Sequence, residues 1–416
     1  MIRTLLTLPA LLIHGARQVL TLRGASSPRR GSALNNLSVI EDGSILIEAG
    51  KIRDVGPTRR IENLAIARKA RQISARGRTV MPGFVDCHNR LISAPGRDVM
   101  ESSAAAHSRN LRKTPAWRLT DDAMILLRRC LRYGTTTLEV KAGAGLDEVS
   151  ELKVLRILAE LANSQPIDLI VTFCGGVALP AGEEESADSH IERLAGTTLR
   201  MIRDKGLATY VGINPDPAVF SDRQRNALLD AAAALSMPVK IQGNAVDIAI
   251  ERKAVTAEHL ERLTPEGVRR IAESDLIAVL MPIHGFHYPE RGFAPARELI
   301  KGGAAVALGS GYDRASSPSF SMSATIELAC RKLRMEPAEA IIAATLNAAY
   351  AVGRGAVSGS IEPGKSADVL ILETSDYRDL AYETGFNPVD VTIVGGHVVC
   401  QNSAAYGALA KGASVG

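Results

Sequence analysis

Two periods of apolar residues alternate along the middle of the chain. Short apolar runs of roughly four to eight residues are typical of buried strands, whereas apolar positions at i, i+3, i+4 and i+7 are typical of amphipathic helices. DDAMILLRRCLRYG (121–134) and LDEVSELKVLRILAELANS (146–164) have the helical period, and the second begins with acidic residues that favour a helix start. The strand candidates are GFVDCH (83–88), TTLEVK (136–141), LIVTFCG (169–175), ATYVGI (208–213), PVKIQG (238–243), AEHL (257–260), IAVLMP (277–282) and AAVALGSG (304–311).

This alternation predicts an α/β fold. Strands that alternate with helices form right-handed βαβ units and a parallel sheet. Eight strands over roughly 270 residues are the number and length of a closed, TIM-like (β/α)8 barrel, in which functional side chains stand at the carboxyl ends of the strands. The positions of interest are therefore those that end the runs, among them His88, Arg90, Lys141, Gln242, His259 and 311–313.

Both ends of the chain carry β-hairpin patterns instead. SILIEAGKIRDVG (44–56) has Ala49-Gly50 between two short alternating runs, and DVTIVGGHVVCQ (390–401) has Gly395-Gly396 in the same place. Hairpins from opposite chain ends can pair with one another. We therefore expect a small β-sandwich domain built from residues 1–79 and 357–416, with the barrel at 80–356 inserted between them.

The first apolar stretch, MIRTLLTLPALLIHGA (1–16), has the charge and length of a short signal peptide. It merges, however, into LLIHGARQVLTL (11–22), which has the composition of a first β-strand with a turn at His14-Gly15. We prefer the strand. No run of roughly 18 apolar residues occurs, so we expect no membrane partner and a cytoplasmic protein.

Composition limits the function further. Hydrophobic residues make up 46% and charged residues 23%, as in ordinary globular proteins. Aromatic residues are only 4%, with Trp117 the one tryptophan, and the net charge is +4, which argues against a nucleic-acid partner. Five cysteines without CxxC spacing are typical of unpaired thiols in a reducing compartment. They are Cys87, Cys130, Cys174, Cys330 and Cys400.

Several motifs are more specific. MPGFVDCH (81–88), GTTTLEVKAGAGL (134–146), AEHLE (257–261), ALGSGYDRASSP (307–318) and GSIEPGKSADVLIL (359–372) resemble motifs of the amidohydrolase superfamily and, within it, of the imidazolonepropionases. The KAGAGL and ASSP loops point to this branch, and the resemblance extends along nearly the whole chain. It implies an amidohydrolase barrel, hydrolysis of a C–N bond in a cyclic amide, and a homodimer.

The resemblance also implies a metal centre. A member of this family holds one zinc or iron ion through a His-x-His pair after strand one, a histidine after strand five and an aspartate after strand eight. Water bound at the open position becomes a hydroxide that attacks the amide carbon, while the aspartate and a neighbouring histidine transfer protons.

The chain departs from that ligand set at three of its four positions. The first histidine is His88, but the second falls on Arg90, a permanently charged donor that cannot bind a cation. The strand-five histidine falls on Gln242, and the strand-eight aspartate falls on Gly311, which has no side chain. We therefore expect no metal cofactor, with His88 a remnant of the site, unless the site has been rebuilt for zinc or iron.

The other positions that the resemblance implies are partly retained. The family's substrate-contacting tyrosine and histidine fall on Ala144 and Val177. Arg97 matches a substrate-binding arginine, His259 matches a histidine that assists catalysis, and Lys141 is retained without an assigned role. We predict that Arg97 and Lys141 contact the substrate and that His259 is the catalytic residue.

Each retained group also has a structural interpretation. His88 is either a metal remnant or a hydrogen-bonded pocket histidine, which Asp86, on the same strand face, could orient. Arg90 could pair with Asp86 or Asp313 and fill the vacated metal volume, because an unpaired buried charge costs several kcal/mol. His259 could be a satisfied structural histidine instead of a binding residue.

Two alternative chemistries stay open at this point. Asp313, on the strand face of position 311, could join His88 and either His284 or His287 in a different metal set, although HGFH also suits a loop with surface histidines. Cys174 could be a nucleophile, although a buried cysteine that packs as a small hydrophobe is the simpler interpretation. No serine stands in a G-x-S-x-G elbow.

Two functions follow from these observations. The first is a non-catalytic descendant that binds a small molecule, a cyclic amide or a carboxylate, through Arg90, Arg97 and His259, or that acts as a partner subunit. The second is an active hydrolase of C–N bonds in cyclic amides whose site has been rebuilt. The missing ligands favour the first function, and the retained His88, Arg97 and His259 favour the second.

Overall fold

The computed structural model describes residues 10–93, 104–143, 147–176, 179, 186–214, 217–218 and 220–402. Within these residues, sixteen strands, numbered in chain order, form two sheets. Near the chain ends lie β1 (Leu11–Leu20), β2 (Val39–Glu48), β3 (Lys51–Pro57), β4 (Arg71–Ser74), β5 (Thr79–Pro82), β14 (Val369–Leu372), β15 (Val389–Val394) and β16 (His397–Gln401). Between them lie β6 (Phe84–Asn89), β7 (Thr135–Gly143), β8 (Asp168–Gly176), β9 (Tyr210–Ile213), β10 (Val239–Gln242), β11 (Thr256–Glu258), β12 (Ile277–Leu280) and β13 (Ala305–Leu308).

The first helix follows β3, and the other helices follow strands of the middle region. They are α1 (Thr58–Ile61), α2 (Ala104–Lys113), α3 (Ala116–Arg132), α4 (Glu148–Ser164), α5 (Ala187–Arg193), α6 (Leu199–Asp204), α7 (Asp222–Ala234), α8 (Val246–Glu251), α9 (Pro265–Ala272), α10 (Pro282–His287), α11 (Ala296–Gly302), α12 (Met322–Leu333), α13 (Pro337–Ala343) and α14 (Leu346–Ala351). The predicted helical run at 121–134 falls mostly in α3 and the run at 146–164 in α4, which begins after the N-cap Asp147. None of the described helices is long and apolar enough to cross a bilayer.

The first sheet combines both chain ends in the order β16-β15-β14-β5-β1-β2-β3, with β4 also paired to β1. Strand β5 connects the two groups, because it pairs with β1 in parallel and with β14 in antiparallel orientation. The prediction that both chain ends build one sheet is confirmed, as are the hairpin turns at Ala49-Gly50 and Gly395-Gly396. The turn expected at His14-Gly15 is instead a bulge within the continuous strand β1.

The second sheet contains eight parallel strands in the order β13-β12-β11-β10-β9-β8-β7-β6. Its ends meet where the Arg90 amide donates to the Tyr312 carbonyl at 2.8 Å and the Gly311 amide donates to the His88 carbonyl at 2.9 Å. The expected barrel is therefore confirmed. Strands β11 and β13 end earlier than predicted, so His259 and Gly311 stand on the loops that follow these strands.

Alternation along β7 shows how the barrel positions its functional groups. Leu138 and Val140 face outward into the apolar layer that contains Leu155 and Leu158 of α4. Side chains of successive strand residues point to opposite faces. The intervening Glu139 and Lys141 therefore project into the interior of the barrel.

Candidate functional site

A network of charged side chains fills the barrel interior. The Lys141 ammonium lies 2.8 Å from a Glu139 carboxylate oxygen and 2.7 Å from one of Glu258. The Lys240 ammonium lies 2.6 Å from the other Glu139 oxygen, and Nδ1 of His88 lies 3.0 Å from Glu258 Oε2. The two lysine and two glutamate side chains are fully buried, so this network removes two opposite pairs of charges from water.

The pKa directions follow from these pairings. Burial alone would lower the pKa of Lys141, but the two adjacent carboxylates outweigh it and the pKa is raised. Burial would likewise raise the pKa of Glu258, but Lys141 and His88 hold it well below its ordinary value. For Lys240, burial prevails over Glu139 and the pKa is lowered. Glu258 thus stays an anion that accepts from His88 and fixes its ring.

A cavity of about 620 Å³ opens above this network, at the carboxyl ends of the barrel strands. Three arginines contribute positive charge to its wall, two acidic groups contribute negative charge, and three histidines lie among them. These residues are Arg90, Arg262, Arg291, Glu261, Asp313, His88, His259 and His284.

Three potential metal ligands converge on one side of the cavity. The donor atoms of His259, Glu261 and His284 all lie within 4.8 Å of one another. The rings of His259 and His284 meet edge to face at 5.4 Å, and those of His259 and His88 meet in the same way at 5.2 Å. His259 follows β11 with a left-handed φ of +59°, and α10 presents His284 from the end of β12.

The environment keeps both of these histidines neutral near neutral pH. Burial and the neighbouring His88 and His284 lower the pKa of His259 well below its ordinary value. Burial, Arg291 and the other cations lower the pKa of His284 to about 4. Burial also raises the pKa of Glu261. Neutral imidazole is the form that binds a metal ion.

Arg90 is half-buried and faces the same cavity. Its charge contributes to lowering the pKa of His259 and His284. Neither predicted ion pair forms: across the described ranges, no carboxylate lies within 4.0 Å of the Arg90 guanidinium. Asp86 instead accepts from the Ser310 amide at 2.8 Å and from its hydroxyl at 2.6 Å, and Asp313 accepts from amides of its own loop.

Comparison with known proteins defines the family. Residues 79–399 match the model described as the amidohydrolase family. The chain belongs to the amidohydrolase family. Imidazolonepropionase of Chloroflexus aggregans is 37% identical over 94% of this chain and 99% of that protein. Imidazolonepropionase of Geobacillus thermodenitrificans is 34% identical over 94% and 97%. The expected superfamily and the resemblance to imidazolonepropionases are confirmed.

Solved structures agree on the fold of this amidohydrolase. An adenosine deaminase from Xanthomonas campestris with bound zinc superposes with a TM-score of 0.71 at 22% identity, covering 97% of each chain. Guanine deaminase of E. coli superposes with a TM-score of 0.75 at 18% identity, covering 94% of this chain and 99% of that one. At these identities the comparison concerns the fold alone.

The ligand positions that the family resemblance implies do not fit a metal ion here. Arg90 carries a positive charge, and the Gln242 amide nitrogen points to the Cys174 sulfur at 3.8 Å. Gly311 has a left-handed φ of +64°, and a Cβ added there would lie 3.2 Å from the Cβ of Met281. His88 alone retains a ligand side chain, and its Nδ1 is already paired with Glu258.

The structure places the other predicted site residues as follows. Arg97, Ala144 and Val177 lie outside the described residues, so their predicted roles stay predictions. Lys141 belongs to the buried ion network, and its contact with a substrate also stays a prediction. Burial raises the pKa of Cys174 to about 11, which disfavours the thiolate that a nucleophile requires.

The HGFH segment differs from the expected surface loop. His284 and His287 lie on the short helix α10, where His287 is exposed while His284 is only 12% exposed and faces the cavity. Asp313 lines the cavity but does not belong to the cluster of His259, Glu261 and His284. The alternative metal set around Asp313 therefore has only His284 in common with that cluster.

Sequence reasoning missed four important residues, namely Glu139, Lys240, Glu258 and Glu261. A signal for the first three was available, since charged residues within buried parallel strands are rare and must be paired. They stand in LEVK, VKIQ and AEH, each on the inward face by period-two alternation. No comparable signal marks Glu261, which follows the strand by three residues and reaches the cavity through the loop geometry.

Proposed function

We propose that this amidohydrolase binds a small anionic molecule at the mouth of its barrel and does not hydrolyse it through the metal centre implied by its family. One observation carries the proposal: the half-buried Arg90 guanidinium stands where the family resemblance implies a metal ligand, and it has no carboxylate partner among the described residues. A partly buried cation without a partner is less favourable than a paired one. A bound anion would supply that partner.

The walls of the cavity support an anionic ligand. Arg90, Arg262 and Arg291 face it, and a guanidinium binds a carboxylate through two parallel hydrogen bonds. Arg291 also lies 5.1 Å from the Tyr288 ring, which supports its side chain at the rim. The volume of about 620 Å³ is within the usual range of small-molecule sites, roughly 300–1,000 Å³.

The chemical class of the ligand is proposed from the relatives. Imidazolonepropionase is named for a substrate that joins an imidazolone ring to a propionate group. A cyclic amide that carries a carboxylate would place its anionic group on Arg90. The amides of Gln242 and Asn244 in the same wall could then contact the ring.

Calorimetric titration with imidazole-4-propionate and its methyl ester tests this proposal. The acid should bind and the neutral ester should bind at least ten-fold more weakly, since a hydrogen bond to a charged group contributes about 1.5–3 kcal/mol. Arg90→Met should weaken the binding of the acid by a similar factor. Arg59→Met, at an exposed arginine of α1, is the matched control. Equal affinity for acid and ester, or an unaffected Arg90→Met variant, would contradict the proposal.

A second candidate function is hydrolysis of cyclic amides at a rebuilt site. The cluster of His259, Glu261 and His284 favours it, because two imidazoles and a carboxylate are a common ligand set of hydrolytic zinc sites. This function would be supported if the protein hydrolysed members of a panel of cyclic amides and if a chelator or the His259→Gln substitution abolished that turnover. Absence of turnover across the panel in zinc-supplemented protein would exclude it.

A further inference from the structure

We infer that His259, Glu261 and His284 bind one divalent transition-metal ion of the zinc class, at the ends of β11 and β12 instead of at the position implied by the family. This site does not depend on the anion-binding proposal, because it uses different residues. It also differs from the ligand set of the family resemblance, in which only His88 survives.

The donor geometry is close to that of an occupied site. The three donor atoms lie within 4.8 Å of one another, and Nδ1 of His284 is 3.9 Å from Glu261 Oε1. Ligand atoms at about 2.1 Å from a tetrahedral zinc ion are about 3.4 Å apart, so the donor atoms of each pair would have to approach one another by at most about 1.4 Å.

Two of the three ligands have few other partners. Nδ1 of His284 is buried and has no hydrogen-bond partner in the described part of the protein. The Glu261 side chain is 11% exposed, and across the described residues its ion pairs comprise only the long contact with His284. A buried polar atom without a partner destabilises the fold, and a buried charge without one destabilises it more. A metal ion would satisfy both groups at once.

Position 311 indicates why the site would lie here. Where the family resemblance implies a ligand aspartate, this chain has Gly311, and a Cβ there would lie 3.4 Å from the Cβ of His284. Position 311 and His284 are therefore neighbours. His284 takes a position beside the one that the aspartate side chain would use.

The supporting groups hold the ligands in place. His259 follows Glu258, whose carboxylate is fixed by Lys141 and His88 and whose carbonyl accepts from the Gly243 amide at 2.8 Å. Leu260 between the two β11 ligands is buried. Ligands on a rigid backbone lose little entropy when a metal binds. Three protein ligands leave a fourth position open toward the cavity.

The charges around the site determine the affinity that we expect it to have for a metal ion. Glu261 is the one carboxylate in the ligand set, and Arg90 and Arg291 line the same cavity. Like charges at this range oppose a second cation. The site should therefore bind zinc more weakly than a closed structural zinc site, and removal by a chelator should leave the protein folded.

Metal titration of the full-length protein, purified without a polyhistidine tag, tests the site. After chelator treatment, Co²⁺ is added and its visible absorption is followed, and Zn²⁺ then displaces it. We expect one equivalent to bind. Loss of a group that only orients a ligand typically costs about 10–100-fold in metal affinity, so Glu261→Gln and His284→Gln, which remove ligands, should each cost more than about 100-fold. Circular dichroism of each variant verifies folding.

Two matched controls make the outcome decisive. His287→Gln changes the exposed histidine of the same helix, and His88→Gln changes the retained histidine of the implied family site. His287→Gln should bind Co²⁺ with nearly the parent affinity, and His88→Gln, which removes only a support of Glu258, should lose less affinity than Glu261→Gln and His284→Gln. The inference is overturned if no saturable binding occurs, or if Glu261→Gln and His284→Gln bind as the parent does. It is also overturned if His88→Gln loses as much affinity as they do, since the metal would then lie at the family position.

Discussion

The space beside Gly311 is occupied by His284, because a Cβ atom at position 311 would lie only 3.4 Å from the Cβ of that histidine. One residue has lost its side chain on the loop after β13, and a histidine from the end of β12 stands next to it. The two positions therefore constrain each other, and any residue restored at 311 must compete with His284 and Met281 for room.

Gly311→Ala should lower the free energy of unfolding by about 2–4 kcal/mol. A left-handed conformation costs an L-residue about 1–2 kcal/mol, and crowding against Met281 and His284 adds about 1–2 kcal/mol. Gly77→Ala is the control, since Gly77 has a φ of +74° and an added Cβ meets nothing within 4 Å. Urea denaturation measures both variants. Equal losses would show that the crowding is absent.

The buried ion network should tolerate loss of a pair better than loss of one member. Glu139→Gln leaves Lys141 and Lys240 without their shared carboxylate, and breaking a buried pair typically costs about 3–5 kcal/mol. Adding Lys240→Met to that variant should recover part of the loss, because the uncompensated charge is gone. A double-mutant cycle measured by denaturation gives the coupling. Strictly additive losses of stability would contradict the predicted coupling between Glu139 and Lys240.

Acid should destabilise the protein through the cavity histidines. His284 has a pKa of about 4 in the folded chain and 6.5 in the unfolded one, with burial the main cause, followed by Arg291, His88 and Arg90, against Asp313. The unfolded chain thus binds more protons between these values, and the free energy of unfolding decreases as pH falls from 6.5 toward 4. His259 acts in the same direction.

Melting of chelator-treated protein across this pH range tests the effect. The parent should lose stability steadily below pH 6.5, and His284→Gln should flatten the profile. His287→Gln changes an exposed residue of the same helix, so its stability should depend on pH as steeply as that of the parent. A slope that is identical in all three proteins would refute the assignment to His284.

Metal and anion should bind cooperatively if both proposed sites exist. A divalent ion at His259, Glu261 and His284 adds positive charge to a cavity that already contains Arg90 and Arg291, and a bound carboxylate offsets it. Linkage then requires that each ligand tighten the other by the same factor, typically about 5–150-fold. Titration of imidazole-4-propionate with and without zinc measures this factor. Zinc should tighten the binding of the methyl ester by a smaller factor. Equal factors for the acid and the ester would exclude charge as the cause.

Much of this protein could be predicted from its sequence. The eight apolar runs and the hairpins at the two chain ends specified the barrel and the composite sheet, because period-two and 3.6-residue patterns are local properties of the chain. The substitutions at Arg90, Gln242 and Gly311 could also be identified from the motifs. Residue identity alone also indicates that the arginine and the glycine at two of these positions offer no ligand atom to a metal ion.

Tertiary structure decided which side chains meet. His259 and Glu261 come from the loop after β11, and His284 comes from helix α10 after β12. Their convergence depends on the left-handed φ of His259 and on the start of that short helix at Pro282. The pairing of His88 with Glu258 instead of Asp86 likewise joins residues 170 positions apart. Closure of the barrel fixes such distances, and no local pattern encodes them.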